Sequence, residues 1–217
     1  MPDSFRHEFI QFVVAQKVLC FGDFKTKAGR LSPYFFDAGL FYDGQSLKRL
    51  AQFYAKAIFA AGMEFDMLFG PAYKGIPLVA AVSMALADAG RNVRYSFNRK
   101  EEKDHGEGGM VVGAPLAGRV LIIDDVISAG TSVRQSVGII RGAGAVPCGV
   151  ALALDRMEQG AGELSAVQEV ERYYHIPVIS IASLDDLVAY LQKDGALSAN
   201  LHAVNKYREQ YGVTAHA

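Results

Sequence analysis

The chain has 217 residues, 51% of them hydrophobic and 21% charged, a balance that suits one α/β domain with a substantial core and excludes a disordered chain. Its 22 basic and 23 acidic residues leave a formal net charge of -1, so no overall basic field exists for nucleic acid or an anionic membrane, and any anion site has to be local. Two cysteines, Cys20 and Cys148, lie far apart without metal-ligand spacing; they imply neither a disulfide framework nor a zinc site and read as small core residues. Met1 to Gln11 carries Asp3, Arg6, His7 and Glu8 rather than an apolar signal region, and no apolar run reaches spanning length, so the expectation is a cytoplasmic protein without a membrane or nucleic-acid partner.

Along the chain, Phe21 to Gly39 is an aromatic-rich segment that reads, taken alone, as a hairpin with Phe35 and Phe36 in the core. Leu47 to Ala61 has the spacing of an amphipathic helix. Met67 to Phe69 is a short apolar run suited to a buried parallel strand; it leads through Gly70-Pro71-Ala72-Tyr73-Lys74-Gly75 into an alanine-rich helix, Ile76 to Ala89, closed by Gly90. Arg99 to Gly109 is charged and ends in glycines. Val120 to Ile123 repeats the strand-to-loop-to-helix pattern through Asp124 to Ser132 into a helix from about Val133 to Arg141, and Val150 to Leu154 is a third buried strand. Leu184 to Gln192 predicts a further helix, whereas Val204 to Ala217 is compatible with either a docked helix or a frayed tail. Alternating strands and helices predict βαβ units, with a ligand crevice outside the strand ends.

The second loop carries the most chemistry. Asp124 and Asp125 follow an apolar strand, and Val126, Ile127, Ser128, Ala129, Gly130, Thr131 and Ser132 form a small, hydroxyl-rich turn into a helix. Amides at such a helix start can cradle a phosphate, which the helix dipole also favours. The carboxylates, being acceptors, suit the vicinal hydroxyls of a ribose or a magnesium-bound water. An acidic pair by itself is more often an ordinary helix cap, but the complete pattern favours a ribose 5-phosphate. No Gly-Lys-Ser or Gly-Lys-Thr is present, and Gly106-Glu107-Gly108-Gly109-Met110-Val111 has valine where a dinucleotide fingerprint needs its third glycine, so nucleotide hydrolysis and dinucleotide binding are disfavoured.

The loop resembles the 5-phosphoribosyl 1-diphosphate (PRPP) motif of type I phosphoribosyltransferases, and the segments Phe21 to Gly39, Gly70 to Gly75, Arg99 to Gly109 and Asp155 to Gly160 narrow the resemblance to the orotate phosphoribosyltransferase family. The resemblance implies a central, mostly parallel sheet flanked by helices, in one domain over residues 1–217 with a hood drawn from 1–45 and parts of 155–217. It implies transfer of phosphoribose from PRPP to orotate, giving orotidine 5′-monophosphate and pyrophosphate, with Mg²⁺ held mainly through the diphosphate and water. PRPP would be held by Lys27, Tyr73, Lys74, Arg99, Lys100, Lys103, His105 and the loop from Asp124 to Ser132. Lys100, Lys103, His105, Asp124 and Asp125 would act in catalysis. Orotate would meet Phe35, Phe36, Ser128 and Arg156, the last because a guanidinium fork matches a carboxylate. Ser128 stands where the family favours threonine, and keeps the hydroxyl. The lid around Lys103 would complete a neighbouring subunit's site in a homodimer. Two alternatives remain open: a phosphoribosyltransferase for another base, and a PRPP-sensing regulator without turnover.

Overall fold

The computed structural model describes residues 3–26, 29–103, 109–127, 130–160, 162–193 and 195–213. Its centre is a six-stranded sheet of order β5-β4-β3-β6-β7-β8, formed by β3 (Met67–Gly70), β4 (Arg94–Lys103), β5 (Gly109–Gly113), β6 (Arg119–Ile123), β7 (Val146–Asp155) and β8 (Val178–Ser183). All neighbours run parallel except β5, which folds back antiparallel on β4.

Both faces of this sheet are covered, which is why its strands read as continuous apolar runs rather than as alternating ones. Leu68, Leu121 and Ile123 point into one core, where α2 (Gly44–Ala60) and α3 (Gly75–Asp88) supply Leu50, Phe53, Tyr54, Val79 and Val82. Their strand neighbours Met67, Phe69, Val120 and Ile122 point the other way, to Val133, Val137 and Ile140 of α4 (Thr131–Gly142) and Val170 of α5 (Ala166–Tyr174). Each fully buried side chain of this size contributes about 2 kcal/mol to folding. The first core continues into α1 (Asp3–Ala15), α6 (Leu184–Lys193) and α7 (Ser198–Tyr211). Beside them stands a separate antiparallel pair, β1 (Leu19–Lys25) and β2 (Leu31–Phe36).

Several elements differ from the sequence expectation for local reasons. Helix α2 starts at Gly44, ahead of its apolar stripe, because the Asp43 carboxylate accepts from the amides of Gln45 and Ser46, each at 2.9 Å. Arg99 to Lys103, the first part of the charged segment, extend strand β4. Phe36 is buried as expected, but Phe35 is 45% exposed and stacks on Phe24, since alternate residues of a strand face opposite sides. Cys20 and Cys148 are half-buried free thiols, and Cys148 packs against the edge of the first core. The chain end is a docked helix as far as Tyr211.

Candidate active site

Strand β3 lies between β4 and β6, so the chain's winding reverses there, and a crevice opens outside the carboxyl ends of β3 and β6. The loop after β3 is tightly folded. A Cβ on Gly70 would come within 2.2 Å of the Gly75 carbonyl oxygen, and one on Gly75 within 2.6 Å of Pro71 Cδ, so glycine at both positions lets the start of α3 close onto the strand end. The Ala72–Tyr73 peptide within this loop is cis. Asn98 of β4 accepts from the Ala72 amide at 3.0 Å and donates to the Arg99 carbonyl at 3.0 Å, fixing the loop to the sheet.

The loop after β6 brings Asp124 and Asp125 into the crevice, each only 6% exposed. Burial raises the Asp124 carboxyl to about 6, against the lowering effect of a hydrogen bond from Ser132 Oγ, and the Asp125 charge adds to the rise. The Asp125 amide also donates to Asp124 Oδ1 at 3.0 Å. Beneath them, the Tyr54 hydroxyl donates to the Asp124 carbonyl at 2.7 Å. Lys74 crosses from the first loop to donate to Asp125 Oδ2 at 2.8 Å. Partial burial opposes the lysine's charge, but Asp125 outweighs it and holds the ammonium above its ordinary range. Gly130 enters α4 in the left-handed conformation, and among the described residues no side chain caps the helix. The first amides of α4 therefore remain for an anion.

Lys100 lies with its ammonium 4.5 Å from the exposed Tyr73 ring. Arg99 turns toward the Gly109 carbonyl and, with Thr131 and Gln135, lines an open cavity of about 650 Å³ between the β4–β5 hairpin and α4. Val126 and Ile127 pack partly against the two cores, so their amides rather than their side chains are what they can offer a ligand. Arg156, just beyond β7, stacks 4.2 Å over Tyr34 and donates through Nη2 to Ser32 Oγ at 3.0 Å, which joins the hairpin to the crevice. Lys27, His105, Ser128 and Ala129, and the Lys103 side chain, lie outside the described residues. Among the described residues no three His, Cys, Asp or Glu side chains converge as a metal centre, and no helix is long and apolar enough to cross a membrane.

The sequence missed Tyr54, Asn98, Ser32 and Tyr34. Tyr54 sits on the core face of α2 and Asn98 inside a charged strand, so each looks like an ordinary packing or surface residue. Only contact across the fold shows that they support the loops.

Two loops meet at one switch point, joined by Lys74 and Asp125, and residues 39–172 match the family model described as the phosphoribosyl transferase domain, which makes the chain an α/β phosphoribosyltransferase. The chain is 65% identical over 210 residues to the orotate phosphoribosyltransferase of Thiobacillus denitrificans, covering 97% of this chain and 99% of that one. It is 67% identical over 208 residues to that of Nitrosospira multiformis, covering 96% and 91%. The crystal structure of the Francisella tularensis orotate phosphoribosyltransferase superimposes with a TM-score of 0.85 at 39% identity, covering 95% of this chain and all (100%) of that one. The chain belongs to the orotate phosphoribosyltransferase family, and is thus a pentosyltransferase enzyme with the type I phosphoribosyltransferase fold.

Proposed function

We propose that this protein transfers the 5-phosphoribosyl group of PRPP to orotate, releasing pyrophosphate and forming orotidine 5′-monophosphate, the chemistry named for its relatives. The observation that carries this reading is the buried Asp124–Asp125 pair beside an uncapped helix start, with Lys74 reaching across from the neighbouring loop. The 5-phosphate fits the amides at the start of α4. The ribose diol fits Asp124 and Asp125, and the diphosphate fits the Gly70–Gly75 loop, where Tyr73, Lys74 and Lys100 meet. Orotate then lies toward β2, with its ring edge at the backbone of Phe35 and Phe36 and its carboxylate at Arg156, under a hood drawn from residues 1–45 and parts of 155–217.

Breaking the anomeric C–O bond leaves positive charge on the ribose and negative charge on the leaving diphosphate. Orientation and fixed charge therefore do most of the work, and no strong base is needed. Lys74 and Lys100 oppose the diphosphate charge; Asp124 and Asp125 hold the ring and face its developing cation. Two buried carboxylates, with no third His, Cys, Asp or Glu converging on them among the described residues, suit a divalent cation that takes its remaining oxygens from diphosphate and water. Bound Mg²⁺ would supply charge neutralisation of the diphosphate. Closure of the Arg99 to Gly109 segment, with Lys103 and His105, would exclude water from the activated sugar.

The enzyme is further proposed to be a homodimer whose lids are shared. Helix α3 is apolar on nearly every side, yet Met84 is 69% exposed, with Pro77 and Ala87 also exposed along it and Tyr73 65% exposed at its start. A second copy would cover that face. Mixed surface charge and free thiols suit the cytoplasm.

The direct test follows orotate absorbance after purified protein receives PRPP and Mg²⁺, with adenine, hypoxanthine and uracil in parallel. PRPP-dependent loss of orotate alone is the expected result. Turnover of a different base would move Arg156 to another role, and PRPP binding without turnover would make the protein a sensor.

A further inference from the structure

Beyond β7 the chain leaves the sheet through Arg156 to Gly160, and the end of α7 holds this stretch by its backbone. Gln159 N donates to the Tyr211 carbonyl and Val213 N to the Met157 carbonyl, both at 2.8 Å, with Glu158 opposite Gly212 in an antiparallel bridge. Arg30 adds a donor to the Gln159 carbonyl at 2.8 Å and lies 4.8 Å from the Tyr211 ring. Inside this clasp, Glu158 Oε1 accepts from Arg156 Nε at 2.9 Å and from Arg156 Nη2 at 2.5 Å. The Tyr34 hydroxyl also donates to Glu158 Oε1, at 3.4 Å, and burial pushes that phenol well up, so it stays a donor.

Arg156 and Glu158 side chains are only 17% and 16% exposed. The guanidinium is thus fixed in three ways: its face on Tyr34, its Nε–Nη2 edge on Glu158 and its Nη2 on Ser32. Nη1 has no hydrogen-bond partner among the described residues. A guanidinium held on one edge presents its remaining donors in a single plane and direction, whereas an unpaired arginine loses rotamer freedom only when the ligand arrives.

We propose that Glu158 is a positioning residue for base specificity: it pins Arg156 so that Nη1 faces the carboxylate-bearing base, and the end of α7 keeps Glu158 in register. This rests on Arg156 being the base-binding residue. Removal of the pin affects encounter with the base, not the phosphate loops, because Glu158 touches neither.

The test uses the full chain with PRPP and Mg²⁺, and compares Glu158→Ala, Glu158→Gln and Arg156→Ala for the KM of each substrate, for kcat and for the thermal midpoint. Glu158→Ala is expected to raise the orotate KM about tenfold, as for loss of one oriented charge-assisted bond, with the PRPP KM within about twofold of wild type. Glu158→Gln keeps an oxygen acceptor of the same shape and should recover most of the loss. An unchanged or lowered orotate KM in Glu158→Ala, alongside a raised one in Arg156→Ala, would overturn the pinning role alone. Equal rises in both KM values with a lowered thermal midpoint would reduce Glu158 to a structural residue. If Arg156→Ala leaves the orotate KM untouched, the assignment of Arg156 to the base falls, and the role of Glu158 with it.

Discussion

At the scale of single residues, the site concentrates charge that the fold does not readily tolerate. Asp124 is almost sealed from water, and its carboxyl rises to about 6 mainly through that burial. A folded-state value above the unfolded one means that the group favours folding most fully below the unfolded value, near 3.8, and that this contribution is lost as pH rises through about 6. Asp124→Asn cannot ionise. In ligand-free protein, the variant's stability relative to wild type should therefore increase between pH 4 and pH 7, by an amount on the order of 1–3 kcal/mol. Urea unfolding at several pH values measures it, and a pH-independent difference would show that burial does not set this group. The same substitution removes an acceptor for the ribose diol, so PRPP affinity should fall even as stability gains. Opposite signs for the two quantities are the mark of a group kept for binding rather than for folding.

At the scale of elements, the turn from β3 into α3 depends on two backbones touching. The Gly70 Cα has no room for a methyl group, because the Gly75 carbonyl and Val79 Cγ1 already occupy its place, at 2.2 Å and 2.7 Å from an added Cβ. Gly70→Ala should destabilise the protein by about 3 kcal/mol, the upper range for overpacking, and raise the PRPP KM because Lys74 rides on the displaced turn. A melt within about 1 °C of wild type would refute the close approach. This turn was legible in the sequence as glycines flanking a short loop, as was the acidic loop before α4, because both write their chemistry in consecutive residues. The buried strands were legible for the same reason: with both faces covered they appear as runs. What was not legible depends on partners distant along the chain. Strand β4 carries Arg99 and Lys100 on a charged stretch that continues from Arg94 to Asn98, and it is the pairing of those earlier residues with β3 and β5 that supplies the stability its composition does not advertise. Helix α5 has only a short stripe, and its start is fixed by the reciprocal Ser165 and Gln168 cap. Tyr34 meets Glu158, and Tyr211 meets Gln159, only because β2 and the end of α7 both return to the segment after β7.

At the scale of the whole molecule, the cations of the β4 region diverge: Lys100 covers Tyr73 of the Gly70–Gly75 loop, while Arg99 turns to the far side of the hairpin. The exposed apolar face of α3 begins at that same loop, so a second copy docked there would bring its own hairpin toward this crevice. If each site takes Asp125 from one chain and Lys103 from the other, two variants disabled in different halves must complement each other. Asp125→Asn and Lys103→Ala homodimers should each have little activity. After unfolding and refolding together in equal amounts, random pairing makes half the dimers mixed. In a mixed dimer one site collects both defects and the other collects none, so activity should recover to about a quarter of wild type, as two-fold symmetry requires. If instead each lid closes over its own chain's crevice, every site in the mixture carries one defect, and activity stays at the average of the two parents. Adding Met84→Glu to both chains places a charge on the α3 face and should abolish recovery together with the dimer in sedimentation. A dimer that persists in sedimentation with its recovery intact would remove α3 from the interface.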